Sequence, residues 1–241
     1  MMPDPLQILY QDEFIIAIDK PSGLLVHKSA ISQDETFVLQ RLRDQLHRYI
    51  YPVHRLDRPT SGVLLFALDQ DSARAICSQF TENRIAKHYR ALVRGWPEES
   101  GEIDHPVRPQ RATIARQAQS IYTRLGITEQ PWPSGPHSTS RYALVAVRPL
   151  TGRRHQLRLH LRHIAHPIIG DTMYGDSRHN RRFREVFGLN RLFLHCAEVR
   201  LNHPRTGEYL RISAPLPETL DGILKNLGLE EKGIAFQDLS G

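Results

Sequence analysis

His54-Arg55-Leu56-Asp57-Arg58-Pro59-Thr60-Ser61-Gly62-Val63-Leu64-Leu65-Phe66-Ala67-Leu68 sets one carboxylate between two arginines and beside a histidine, then runs into six apolar residues. Pro59–Gly62 reads as a turn and Val63–Leu68 as a strand buried on both faces. A charged cluster at the mouth of such a strand is costly unless it has a task. Between two guanidinium groups a carboxylate is held ionised, and an ionised, positioned carboxylate serves as a nucleophile or base. The same residues also suit a surface ion pair worth about 0–1 kcal/mol, and locally both readings stand.

Upstream of this stretch, Leu6–Tyr10 and Phe14–Ile18 read as strands joined at Gln11–Glu13, and Lys20-Pro21-Ser22-Gly23 as a turn. Leu24–His27 follows as a short extended piece. Leu39, Leu42, Leu46 and Tyr49 recur at helical spacing, with Asp34 as a candidate cap. Downstream, Asp69–Ser72 caps a helix whose apolar face is Ala73, Ile76, Cys77 and Phe80. Lys87–Gly95 alternates as a strand, with Tyr89, Ala91 and Val93 on one face and His88, Arg90 and Arg94 opposite.

Between Trp96 and His137 the pattern weakens: Gln119–Leu125 suits a strand and Gln130–His137 a loop. Arg141–Arg148 is again a strand. A helix is expected from Arg154, with an apolar stripe of Leu157, Leu161, Ile164, Ala165 and Ile168. On another of its faces Arg154, Arg158 and Arg162 stack at i, i+4 and i+8, a repulsion of a few tenths of a kcal/mol per close pair. That repulsion calls for an acidic partner, either Asp57 or a phosphate. Ala197–Leu201 and Glu208–Ile212 flank His203–Gly207 as a hairpin, Pro217–Leu227 forms a last helix, and residues 230–241 a loose tail.

The 241 residues carry a net charge of +6, unevenly spread. Arg141–Arg211 holds fourteen arginines, no lysine and five acids, a balance of +9, so the rest of the chain sums to −3. Arginine matches phosphate geometry and stacks on bases, and such a segment points to nucleic acid. No apolar run approaches the ~18 residues of a membrane span, and Met1–Gln7 lacks the features of a signal peptide. Cys77 and Cys196 have no disulfide or metal spacing, as suits a cytoplasmic protein.

His155, His160, His163 and His166 suggest a metal, but no Cys or carboxylate lies among them, and neighbouring arginines would repel a cation. Histidines that stack on or hydrogen-bond to RNA fit better. Glycine-rich phosphate loops and a Gly-x-Ser-x-Gly elbow are missing, and no second acid completes a glycosidase pair. Neither a metal, a nucleotide nor another cofactor is expected.

Four ordered blocks, His54–Gly62, Lys87–Gly95, Thr151–Leu161 and His166–Asp171, resemble the RluA-type pseudouridine synthases, whose signature reads HRLDxxTSG. The Ile8–His27 pattern and the His203–Gly207 turn match as well, so the resemblance spans Leu6–Leu220. Gly170–Arg181, Phe187–Leu192 and the Arg58-Pro59 after Asp57 are similar to the type that converts uridine 65 of tRNA.

The resemblance implies an α+β fold with a curved, mainly antiparallel mixed sheet, flanked by helices and loops, and a cleft across its middle. It implies one catalytic domain over residues 1–241 without the N-terminal S4 domain of many ribosomal RNA members. Asp57 becomes the nucleophile, Tyr89 the platform for the target base with a part in proton transfer, and Arg158 the partner that aims Asp57. Arg55 is implied as an RNA contact, and His54, Arg153, Arg154, His155 and Arg162 complete the expected RNA-binding set. The expected substrate is tRNA and the expected state a monomer. A ribosomal RNA synthase of the same family and a non-catalytic RNA-binding module are the alternatives.

Overall fold

The computed structural model describes residues 4–27, 36–110 and 112–229. Asp34 and the 230–241 tail lie outside the described residues.

The described residues form ten strands and five helices. β1 (Ile8–Gln11) and β2 (Ile15–Lys20) form the opening hairpin, followed by α1 (Val38–Leu46), β3 (Tyr51–Pro52) and β4 (Ser61–Ala67). Next come α2 (Gln70–Thr81), β5 (Ala86–Arg94), β6 (Ser100–Asp104), β7 (Gln119–Gln130) and β8 (Ser140–Pro149). α3 (Gln156–His163), α4 (Ser177–Phe187), β9 (Leu194–Asn202), β10 (Tyr209–Ser213) and α5 (Glu218–Asn226) complete the chain. The ten strands belong to one sheet in the order β1-β2-β4-β9-β5-β8-β7-β6, with β10 on β9 and β3 on β4. Among the described residues β4 and β9 pair parallel while the other strand pairs are antiparallel, so the expected mixed α+β sheet is present.

The opening motif leads into the centre of this sheet. Every residue of β4 is buried, as its unbroken apolar run requires. β4 meets β9 only through Ser61↔His195 and Gly62↔Cys196. There Gly62, at φ +108°, lets the backbones touch: a Cβ would stand 2.2 Å from the Cys196 carbonyl oxygen.

Several sequence expectations shift. His88 and Arg90 are buried along with Tyr89, Ala91 and Val93, so both faces of β5 are covered along this stretch. α1 stops at Leu46, leaving Tyr49 67% exposed. In α2, Asp69 accepts from the Asp71 and Ser72 amides as expected of a cap, yet Cys77 is exposed. Leu24–His27 forms no strand. α3 is shorter than its apolar stripe: Ala165 takes φ +65°, and Ile168 bridges Val93 beside β5. β6 and α4 are additions that no sequence pattern had marked. No described helix is long and apolar enough to cross a membrane.

Buried histidines make the fold acid-sensitive. Burial, aided by Lys87, lowers His54 to about 3; burial with Arg200 lowers His88 to about 4; burial, partly offset by the Ala214 carbonyl, lowers His195 to about 4. The unfolded chain, with histidines near the ordinary ~6.5, therefore binds protons between pH ~6.5 and ~4 that the fold refuses. Each such group contributes stability that is lost as pH falls through this window, at up to about 1.4 kcal/mol per pH unit. Denaturant unfolding at pH 7.5, 5.5 and 4.5 should show this decline; constant stability over that range would contradict it.

Candidate active site

Asp57 lies four residues before the β4–β9 contact, and Tyr89 on β5 pairs with Cys196 on β9, so three adjacent strands converge on one pocket. Its cavity of about 120 Å³ is lined by Asp57, Tyr89, Lys87, Arg55, His155 and Arg158 among others. That is well below the roughly 300–1,000 Å³ of a drug-sized ligand site, a volume matched to one planar base.

Asp57 is half-buried, and the guanidinium that faces it comes from α3. Arg55 and Arg58, its sequence neighbours, are exposed, with Arg58 donating through Nε to the Gly23 carbonyl. Arg158 places Nη1 3.7 Å from Asp57 Oδ2. Its tighter partner is Asp171: Nε and Nη2 each donate at 2.7 Å to the two carboxylate oxygens, with both side chains buried. The expected Asp57–Arg158 pairing is therefore the looser arm of a carboxylate–guanidinium–carboxylate chain. A two-point clamp fixes the guanidinium plane, leaving Nη1 aimed at Asp57.

Burial disfavours the charged Asp171 carboxyl, but Arg158 and the Tyr174 and Met173 amides hold it below the usual carboxylate range. Arg158 is pushed the other way: burial opposes its charge, and the bonds and charge of Asp171 raise it further.

A second support reaches Asp57 through His155. This residue precedes α3 in the left-handed region, φ +56°, and its Nδ1 lies 2.9 Å from the Tyr174 hydroxyl. Its Nε2 stands 4.0 Å from Asp57 Oδ1, beyond hydrogen-bond distance. Burial, with Arg158 and Arg154, lowers His155 although Asp57 pulls the other way, so the ring is neutral near pH 7. The Tyr174 ring also lies under Arg158, 4.9 Å from Cζ.

Tyr89 is 6% exposed, and its hydroxyl is raised well above its usual value by burial first, then by Cys196 and Asp57. It therefore stays protonated, and in the pocket it offers a ring face and a hydroxyl rather than a phenolate. Lys87 adds an ammonium whose charge burial disfavours, 5.4 Å above the Phe80 ring.

The remaining expected residues divide. Arg153 and Arg154 line the pocket and are exposed, and Arg153 Nε donates to the Gln117 carbonyl. Arg154 precedes α3, so the expected three-arginine helical face does not form. Arg162 is exposed on α3 and absent from the pocket lining. His54 turns inward: its Nε2 accepts from the Leu65 amide at 2.9 Å, and its ring packs on Phe80. It steadies β4 and does not line the pocket, which corrects its expected place in the RNA-binding set.

The other histidines also have structural tasks. His160 bonds to Ser120 and the His105 carbonyl, His163 stacks on His105 at 3.6 Å, and His166 bonds to the Arg94 carbonyl. Asp171, Tyr174 and Lys87 are the site residues to which sequence reasoning gave no role. Their signal was present in the blocks that carried the family resemblance.

A half-buried carboxylate, a buried tyrosine and a clamped arginine thus converge on one pocket at the centre of a mixed sheet. Residues 14–163 match the family model described as RNA pseudouridylate synthase, and the chain belongs to that family, in its RluA branch. Curated relatives named tRNA pseudouridine synthase C agree: one from Haemophilus ducreyi is 46% identical over 92% of this chain and 96% of its own. Another, from Vibrio cholerae, is 46% identical over 94% of this chain and 97% of its own. Among solved structures, Human RNA Pseudouridylate Synthase Domain Containing 4 superposes with TM-score 0.73 at 27% identity, covering 93% of this chain and 94% of the other.

Proposed function

We propose that the protein, as one catalytic domain, isomerises the uridine at position 65 of tRNA to pseudouridine, with Asp57 as nucleophile. The carrying observation is the half-buried Asp57 carboxylate, faced by a guanidinium that Asp171 clamps and set in a base-sized pocket beside Tyr89. The names of the relatives, tRNA pseudouridine synthase C, support tRNA as the substrate.

The reaction breaks the N1–C1′ glycosidic bond, turns the uracil and joins C5 to C1′. C5 loses a proton and N1 ends protonated, so product and substrate have the same atoms and no electrons are exchanged. Asp57 supplies the nucleophile, to C1′ of the ribose or to C6 of the ring. Arg158 holds it in line, and Tyr89 receives the base once it leaves its stack, an extrusion costing a few kcal/mol. Arg55, Arg153 and Arg154, exposed at the pocket rim, are suited to the phosphates on either side.

Mapping pseudouridines in tRNA and ribosomal RNA from a strain lacking the gene tests this directly. A single loss at tRNA position 65 is expected, restored by the wild-type gene. Loss confined to ribosomal RNA would transfer the substrate to that class, and no loss in either would overturn the proposal.

A further inference from the structure

The end of the sheet remote from Asp57 carries a second basic surface that the isomerisation does not use. Two adjoining cavities, of about 440 and 280 Å³, share Ser134, Ser140 and His179. They form a groove between the β7–β8 loop and α4. Arg94, Arg141 and His137 line one part, and Arg178, Arg181 and Arg182 the other. The groove shares no lining residue with the pocket at Asp57. Pro149, which lines the catalytic pocket, closes β8, while Ser140 and Arg141 at its start line the groove, so the two sites lie toward opposite ends of that strand.

The groove is built. Ser134 and His137 close a tight turn through reciprocal backbone hydrogen bonds of 2.9 and 3.2 Å. His179 on α4 joins that turn to β8, with Nε2 3.1 Å from the Ser134 hydroxyl and Nδ1 2.9 Å from that of Tyr142. Arg178 crosses the groove: a Cβ added at Gly135 would stand 3.2 Å from its Nη1. Arg141 is stacked on Trp96, its Cζ 4.2 Å from the ring centroid.

The acids at this surface are matched one to one. Arg94 pairs with Asp176 at 2.6 Å, Arg141 with Glu129 at 3.4 Å and Arg182 with Glu185 at 3.8 Å. Arg178 and Arg181, both exposed, have no ion-pair partner among the described residues. They lie at i and i+3 in the first turns of a helix with no acid in its first turn. Like charges on one face repel, and the Asp176 carboxylate that caps this helix is already engaged by the Arg178 amide and by Arg94. An anion in the groove offsets that repulsion.

We propose that this groove is a second RNA-binding surface, holding the phosphate backbone of the substrate away from the target uridine, with Arg178 and Arg181 as its contacts. The proposal rests on an RNA substrate, as argued above. Arginine rather than lysine, and a position that shares no lining residue with the catalytic pocket, favour RNA over a compact anion.

The test compares wild type, Arg178→Ala/Arg181→Ala and Arg178→Lys/Arg181→Lys on full-length tRNA and on a short stem-loop carrying only the target uridine. For full-length tRNA the alanine pair should weaken binding by about tenfold or more at 0.15 M salt. It should also reduce the slope of log affinity against log salt by about 1.5–2. The lysine pair should recover most of both. Binding and turnover of the stem-loop should be unchanged in all three proteins, which also reports that the variants fold. Unaltered affinity and slope with full-length tRNA would overturn the proposal, and so would an equal loss on the stem-loop. Wild-type protein that binds tRNA but converts no uridine would defeat the functional reading instead, leaving the salt comparison intact.

Discussion

Asp57→Asn is expected to abolish pseudouridine formation, by roughly 10⁴-fold or more in single-turnover rate, while tRNA binding stays within a few-fold of wild type. The amide keeps the shape of the carboxylate in its half-buried place but has no anionic oxygen to offer carbon. Losing a reacting group costs far more than losing one that only orients it. Binding should survive because most RNA affinity comes from cation–phosphate contacts, and Asp57 is an anion facing an anionic ligand. Release of tritium from C5-labelled uridine in tRNA measures the first effect and filter binding the second. Retained turnover would remove Asp57 from the chemistry, and a matching collapse of binding would make it a binding residue.

The second large effect is expected at a residue that does not face the base. Asp171→Ala leaves the buried Arg158 guanidinium without its two 2.7 Å partners and orphans the Met173 and Tyr174 amides that share Oδ1. Removing one member of a buried pair costs about 3–5 kcal/mol, or roughly 10 °C in Tm for a chain of this size. Asp171→Asn keeps an acceptor for the amides and loses the charge, so it should fold more stably than the alanine variant. In that variant Arg158 is freed to close on Asp57, 3.7 Å away, and to pull it off line. A displacement of about 1 Å costs near 10²-fold in rate. We therefore expect kcat to fall about 10²-fold for Asp171→Asn with KM nearly unchanged. A purely structural role would lower stability and leave the kcat of the folded fraction intact.

What was legible at this site depended on how local its signal was. Asp57 stood out because the turn, the charges and the buried strand are contiguous. Arg158 and Tyr89 were reached through motifs that keep their order along the chain. Asp171 closes such a motif but has no local sign of its partner. Its partner lies thirteen residues back, and only a bidentate side-chain contact joins them. His54 shows the reverse error: adjacency to Asp57 suggested an RNA contact, yet its ring faces the core and holds the Leu65 amide.

Strand alternation left the burial of His88 and Arg90 open, because a period of two says which residues share a face and nothing about whether that face is covered. The stripe on α3 outran the helix because Ile168 is apolar for a different reason, its pairing beside β5.

By itself, then, the sequence marked Asp57, Tyr89 and Arg158 as candidates and carried the family and most of the strands, since each is written in short-range spacing or in an ordered set of motifs. The tertiary structure alone decided which carboxylate grips Arg158, that Asp57 is the looser arm of that chain, and that a second basic groove shares no lining residue with the pocket. The physical reason is common to all three. Charge pairing and burial depend on distance in space, and the β4–β9–β5 junction and the crossing from α3 to α4 bring together residues that chain order keeps apart.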